Sequence, residues 1–236
     1  MDSTPIAAAA PSLPLTQDHA RLQLPWLSSL NVAIPGALVV LAIVSAASID
    51  LPLGAFAKRG SLPDGIDKFL EAGEHFGTFY GHVLIFLTIW ALDPAHRRSI
   101  VRIAAAAWSA GLAANIVKLC IARTRPKYFD FDSLTAGHGF LGFAPGLPGG
   151  SKIQGFPSAH TATAVGFAIA LAYVYPRGRN VFLLLAAIVG LQRIATSSHF
   201  ASDIFAGACI GWIVGHLFTS RNSLTSRLDS FEATST

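Results

Sequence analysis

The chain alternates long apolar runs with short polar links. Six runs stand out, at Leu27–Ala47, Phe76–Leu92, Ile100–Ile121, Ser158–Tyr175, Val181–Ser197 and Asp203–Thr219. Most come close to the roughly 20 residues that a helix needs to cross a bilayer, and the links are too short to wrap six buried helices of a soluble protein. The pattern predicts an all-α fold, a bundle of six transmembrane helices over residues 26–220. Between the first two runs, Ile66, Phe69, Leu70 and Gly73 recur at helical spacing, with Asp67, Lys68, Glu71 and Glu74 elsewhere. That pattern predicts a short interfacial helix, lying along the membrane surface between the first two spans. Residues 1–25, with Pro5, Pro11, Pro14 and Pro25 among alanines and serines, lack periodicity and read as a flexible tail, and 221–236 as a C-terminal tail.

Composition agrees with a membrane setting. Of the 236 residues 52% are hydrophobic and 13% charged, against about a quarter charged in an average globular domain. Disorder, collagen and coiled coil are excluded. Cys120 and Cys209 both lie inside apolar runs, so neither a disulfide framework nor a structural zinc cluster can be built from them. The formal net charge of +4 comes from 17 Lys and Arg scattered in short clusters between the runs. No stripe of the kind that binds nucleic acid is formed; membrane lipids and an anionic ligand are the expected partners.

Six crossings would put both termini on one face. Eight of the 17 Lys and Arg fall on that face, and of the other nine, three are the candidate anion ligands Lys118, Arg125 and Arg193. The remaining bias favours cytoplasmic termini in the cell (inner) membrane, with the polar cluster on the opposite face. Trp26, Trp90, Tyr173 and Tyr175 lie where runs meet the terminal face, as an aromatic belt would.

The residues capable of chemistry gather at the other ends of the spans. In an up-and-down bundle the end of the third run, the start of the fourth, the end of the fifth and the start of the sixth share one face. This collects Lys118, Arg125, Ser158, His160, Arg193, His199 and Asp203. Lys118 and Arg125 are seven apart, close to two helical turns, so they would share a stripe that Pro126 ends; two such cations suit one anion or snorkel at a membrane edge. Pro157-Ser158-Ala159-His160 reads as a helix start with Ser158 as N-cap, whose free amides and dipole form a phosphate seat. His199 and Asp203 are one turn apart, so the carboxylate can hold one imidazole nitrogen and leave the other as a nucleophile, or simply tie two spans together.

Lys118 with six residues to Arg125-Pro126, then Pro157-Ser158-Ala159-His160, then Arg193 with five residues to His199 and three more to Asp203, resembles the three-part signature of the type 2 phosphatidic acid phosphatase superfamily. Two positions differ: the usual Gly of the second block is Ala159, and the usual Ser before the third-block arginine is Gln192. The resemblance implies an integral membrane phosphatase for a lipid phosphate monoester or diphosphate. It implies that His199 attacks phosphorus to give a phosphohistidine, Asp203 orients it, and His160 protonates the leaving oxygen and then activates water. Lys118, Arg125, Ser158, the Ala159 amide and Arg193 would hold the phosphoryl oxygens, and no metal or other cofactor is implied. The alternative is a transporter or scaffold that binds a lipid headgroup without turnover.

Other polar groups read as less chemical. Glu71, Glu74 and His75 match a solvated helix face, although Glu-x-x-Glu-His could ligate a metal. His82 and His216 lie within runs and suit packing or a bond to a backbone carbonyl. The loop 127–156, with Asp130, Asp132 and His138, lies beside the cluster as a gate, a headgroup selector or a plain connector.

Overall fold

The computed structural model describes residues 26–60, 62–132, 139–143, 150–220 and 222–233. The N-terminal tail, His138 and Arg221 lie outside the described residues. The helices are α1 (Trp26–Ser48), α2 (Asp50–Arg59), α3 (Asp64–Glu74), α4 (Phe79–Leu92), α5 (Ser99–Cys120), α6 (Ala159–Val174), α7 (Arg179–Ala195), α8 (Ala201–Leu217) and α9 (Ser223–Ala233). Two short strands, β1 (Ile121–Arg123) and β2 (Phe140–Phe143), pair antiparallel. The fold is all-α apart from this ribbon.

A helix occupies each of the six apolar runs, with ends within a few residues of those expected. By length and apolarity, Ser99–Cys120 and Pro176–Ala195 are each able to cross a membrane. Val32–Ser48 with Asp50–Arg59, and Asp64–Gly77 with Phe79–Leu92, also qualify if each pair, bent by 69°, is one broken span. Ala159–Val174 and Ala201–Leu217 are shorter apolar helices. Two crossings, or four with the bent pairs, therefore follow from length and composition.

The centre of the bundle is α6, which packs against α5, α7 and α8, while α1 lies on α8 and α3 on α7. Its neighbours come close because the contact surfaces are built from small residues. Ala106, Ala107, Ala110 and Ala114 of α5 and Ala162, Ala164 and Ala168 of α6 are fully buried. Such surfaces let apolar helices gain dispersion contacts where the hydrophobic effect supplies no drive between them. Phe167, Ile103, Leu171 and Val189 fill the remaining core. Large apolar side chains such as Leu84, Leu87, Leu112, Ile116 and Leu184 point outward, as lipid-facing positions would.

The helical segment at 64–74 is present, but its predicted apolar face is divided. Leu70 is buried, whereas Ile66 and Phe69 remain 50% and 62% exposed. The helix turns toward α7 because Gly73 fits against Ile188 with no room for a Cβ. That choice carries Glu74 inward.

One close approach sets the geometry of the polar end. A Cβ on Gly207 of α8 would collide with the carbonyl oxygen of Ser158, just before α6. The same junction is tied by the Ser158 amide, which donates to the Asp203 carbonyl at 3.0 Å. Gly207→Ala is expected to push α8 away from α6 and cost about 1–3 kcal/mol. Thermal unfolding of the detergent-solubilised variant checks this; an unshifted transition would contradict it.

Candidate active site

Lys118 lies in the last turn of α5, 8% exposed. Arg125 is not on that helix. The α5 helix ends at Cys120, and the next residues turn extended to pair with β2, so the expected two-turn stripe does not exist. Ile121 is already extended, and Pro126 separately holds Arg125 in extended backbone (φ −72°, ψ 149°). The segment also gains partners there: the Arg123 amide donates to Ile153 O at 2.8 Å and the Arg125 amide to Lys152 O at 3.0 Å. Lys118 and Arg125 nevertheless come within electrostatic reach of each other. Among the described residues the buried Nε of Arg125 has no hydrogen-bond partner. Burial, its largest influence, shifts the Arg125 guanidinium downward from its ordinary range.

Ser158 caps α6 as expected, and its fully buried Oγ accepts from the Thr161 amide at 3.4 Å and the Thr161 hydroxyl at 3.0 Å. The hydroxyl's own proton is what it retains for a ligand. Ala159 and His160 follow in the first turn, where helix amides lack partners within the helix. Arg193, His199, Lys118 and Arg125 all lie within electrostatic reach of the His160 ring.

His199 reaches the cluster through a turn at the end of α7. Ser197 adopts φ 51°, and the amides of Ser198 and His199 fold back to donate to the Arg193 carbonyl at 3.0 and 3.1 Å. The ring is 3% exposed, and its Nδ1 lies 2.7 Å from the Gly155 carbonyl oxygen. A carbonyl can only accept, so Nδ1 carries the proton and the lone pair sits on Nε2. Asp203 was expected to fix this tautomer, but the Gly155 carbonyl makes the shorter contact. Asp203 Oδ2 stands 3.5 Å from Nδ1 and accepts from the Phe200 amide at 2.8 Å. Burial, above all, shifts the His199 imidazole down from its ordinary value; Asp203 opposes this, and Lys118 and Arg125 reinforce it.

Three groups that the sequence did not place in the cluster complete the surroundings. Arg123, fully buried, bonds Asp203 on one side and Asp50 on the other, the latter at 2.7 Å. Its guanidinium lies 4.2 Å from the ring centres of both Phe140 and Phe200. Asp50 Oδ1 also accepts the Ser202 amide at 3.0 Å. Glu74, read from the sequence as part of a solvated face, forms an ion pair with Arg193. In sequence Asp50 and Arg123 are single charges at the ends of apolar runs, which gives no hint of partners 73 positions apart. His82 and His216 behave as structural groups: Nε2 of His82 faces Phe76 O at 3.1 Å, and Nδ1 of His216 faces Trp212 O at 2.9 Å. Among the described residues no group of three or more His, Cys, Asp or Glu could hold a metal ion.

Beside His160 opens a cavity of about 580 Å³ at the ends of α4, α5 and α6, lined by Phe79, Tyr80, Trp108, Asn115 and Thr163 among others. It is apolar over most of its wall.

The PAP2 superfamily profile matches residues 99–224, which contain every one of the clustered residues except Glu74 and Asp50. The chain belongs to the PAP2 superfamily. Lipid A 1-phosphatase of Rhizobium johnstonii is 37% identical to this PAP2 chain over 101 residues, 43% of this chain and 38% of that protein. The match thus spans about two fifths of that relative's length. Decaprenylphosphoryl-5-phosphoribose phosphatase of Mycolicibacterium smegmatis is 29% identical over 153 residues, covering 65% of this chain and 75% of the relative. The fold is shared with Aquifex aeolicus LpxE, at TM-score 0.54 and 19% identity over 74% of this chain and 96% of that one. It is also shared with the transmembrane PAP2-type phosphatidylglycerolphosphate phosphatase of Bacillus subtilis, at TM-score 0.53 and 16% identity, over 86% and 97%. These matches and its apolar helices make the PAP2 chain an integral membrane protein.

Removing Arg123 would leave two buried carboxylates facing one another. Arg123→Met is therefore expected to cost about 3–5 kcal/mol, read as a lowered unfolding transition in detergent; retention of the parent transition would contradict the pairing.

Proposed function

We propose that this chain is a membrane phosphatase that hydrolyses a lipid phosphate monoester or diphosphate through a phosphohistidine. The observation that carries the reading is the His199 imidazole, its Nε2 lone pair left free by the Gly155 contact, set among Lys118, Arg125 and Arg193. In the proposed reaction Nε2 attacks phosphorus, the bond to the lipid oxygen breaks, and His160 gives that oxygen its proton. His160 then takes a proton from water, which attacks the phosphohistidine and releases inorganic phosphate. Lys118, Arg125, Arg193, the Ser158 hydroxyl and the Ala159 amide hold the phosphoryl oxygens and offset the charge of the transition state. This arrangement supplies the neutralising charge from the protein itself, so turnover is expected to persist in excess chelator.

The apolar cavity beside His160 suits a lipid body attached to the leaving oxygen. The relatives are named for lipid A, decaprenylphosphoryl-5-phosphoribose and phosphatidylglycerolphosphate; with the wider set the family resemblance implies, phosphatidic acid, phosphatidylglycerol phosphate, prenyl diphosphates and lipid A phosphates are the substrate classes to test. We read α1 through α8 as six crossings, with α2 and α3 as the angled segments between the first two apolar helices, both termini cytoplasmic and the site on the opposite face. A six-helix unit over 26–220 fits the same reading, although the segment expected as a C-terminal tail carries α9, whose Asp229 and Glu232 pair with buried Arg102 of α5.

Phosphate release by the purified protein from those four lipid classes, in chelator, tests the proposal. His199→Ala is expected to fold and abolish release, while Arg193→Ala loses on the order of a hundred- to a thousandfold. Normal turnover by His199→Ala would refute the nucleophile, and no release from any class would favour a binding protein.

The acidity of His199 sets a second expectation. The ring must be neutral to attack, and burial lowers its affinity for protons. Activity should therefore survive as pH falls past about 6.5, the ordinary imidazole value, and decline only at lower pH. The acid limb of kcat/KM for the wild-type enzyme reads this; a limb centred above 6.5 would contradict it.

A further inference from the structure

Glu74 enters the cluster from α3, outside all three sequence blocks that carry the chemistry. Two glycines seat it. Gly73 lies against Ile188, and a Cβ on Gly77 would stand 2.9 Å from Val189 Cγ1 and 3.1 Å from the His160 carbonyl oxygen. The end of α3 is thus pressed onto α6 and α7, and the carboxylate between these contacts has little latitude. Its side chain is 22% exposed and pairs with Nη2 of Arg193, itself 12% exposed. Glu74 Oε1 also stands 3.9 Å from Nε2 of His160.

The other side of Arg193 is held as well. Gln192 Oε1 accepts from Arg193 Nε at 2.6 Å. A guanidinium presents five N–H groups in one rigid plane. Acceptors at Nε and Nη2 fix the orientation of that plane and, among the described residues, leave Nη1 to meet an anion.

We infer that Glu74 is a positioning residue: with Gln192 it clamps the Arg193 guanidinium in the plane from which Nη1 addresses a phosphoryl oxygen. Gln192, where the signature has Ser, is the second jaw of this clamp. The inference rests on Arg193 being a phosphoryl ligand, as proposed above. Two rival roles are a placeholder anion, which the substrate must displace, and an anchor that merely holds α3 in place.

Steady-state phosphate release and inhibition by orthovanadate, a stand-in for the transferring phosphoryl group, separate these roles in Glu74→Ala, Glu74→Gln, Arg193→Ala and the Glu74→Ala/Arg193→Ala double variant. Misplacing a group by about 1 Å costs up to about a hundredfold. Glu74→Ala is accordingly expected to lose roughly ten- to a hundredfold in kcat/KM and to weaken vanadate inhibition by the same factor. Glu74→Gln, whose amide oxygen still accepts from Arg193, should recover most of both. In the double variant the loss should equal that of Arg193→Ala alone. Additive losses would overturn the inference in favour of an anchor, and tighter vanadate inhibition in Glu74→Ala would overturn it in favour of a placeholder. Full activity in Glu74→Ala beside an impaired Arg193→Ala would overturn the clamp and leave the phosphatase reading standing. Full activity in Arg193→Ala would remove the phosphoryl-ligand reading beneath it.

Discussion

The polar end of the bundle depends on one buried cation. Arg123 has no exposed surface, and it lies between Asp50 and Asp203, which are 1% and 0% exposed. Ions removed from water persist in a protein interior only when paired and hydrogen-bonded. The three charges therefore belong together. They join the bend between α1 and α2, the strand that leaves α5, and the first turn of α8, three elements that meet only when the bundle is assembled. Phe140 and Phe200, stacked on the guanidinium, keep water from the pair.

That pairing determines how the neighbouring charges are divided. Asp203 is committed to Arg123 and to the Phe200 amide, so it approaches His199 without making the shortest contact to it. The ring is oriented by the Gly155 carbonyl, a neutral acceptor, and burial favours its uncharged form. Lys118 and Arg125 have no carboxylate bonded to them among the described residues, and Arg193 is balanced by Glu74. The outcome is a buried imidazole with Lys118 and Arg125 in electrostatic reach, the setting that the proposed nucleophilic role requires. In the proposed reaction a phosphate would supply the negative charge that this arrangement lacks, and charge spread over its oxygens in the transition state would be met by groups already in place.

Sequence patterning located what depends on local periodicity. The six apolar runs became helices, Ser158 became the N-cap of α6, and Lys118, Arg125, Arg193 and His199 lie within electrostatic reach of His160. What it missed came from contacts between distant segments. Arg125 was placed on a helix because seven residues make two turns, yet backbone partners at Lys152 and Ile153 and the restriction imposed by Pro126 drew the chain into a strand. Asp50 and Arg123 drew no reading from the sequence, because the carboxylates and guanidinium that pair lie 73 and 80 positions apart. Glu74 looked solvated because amphipathic spacing defines a face but not its neighbour; Gly73 against Ile188 turned α3 so that this carboxylate points inward.

The most direct measurement of the central claim is to trap the enzyme during turnover. Rapid alkaline quench with a radiolabelled lipid phosphate, followed by peptide mapping, should recover an acid-labile, base-stable phosphoryl group on the peptide bearing His199. Label on a serine, on His160, or on no peptide at all while phosphate is being released would contradict the account.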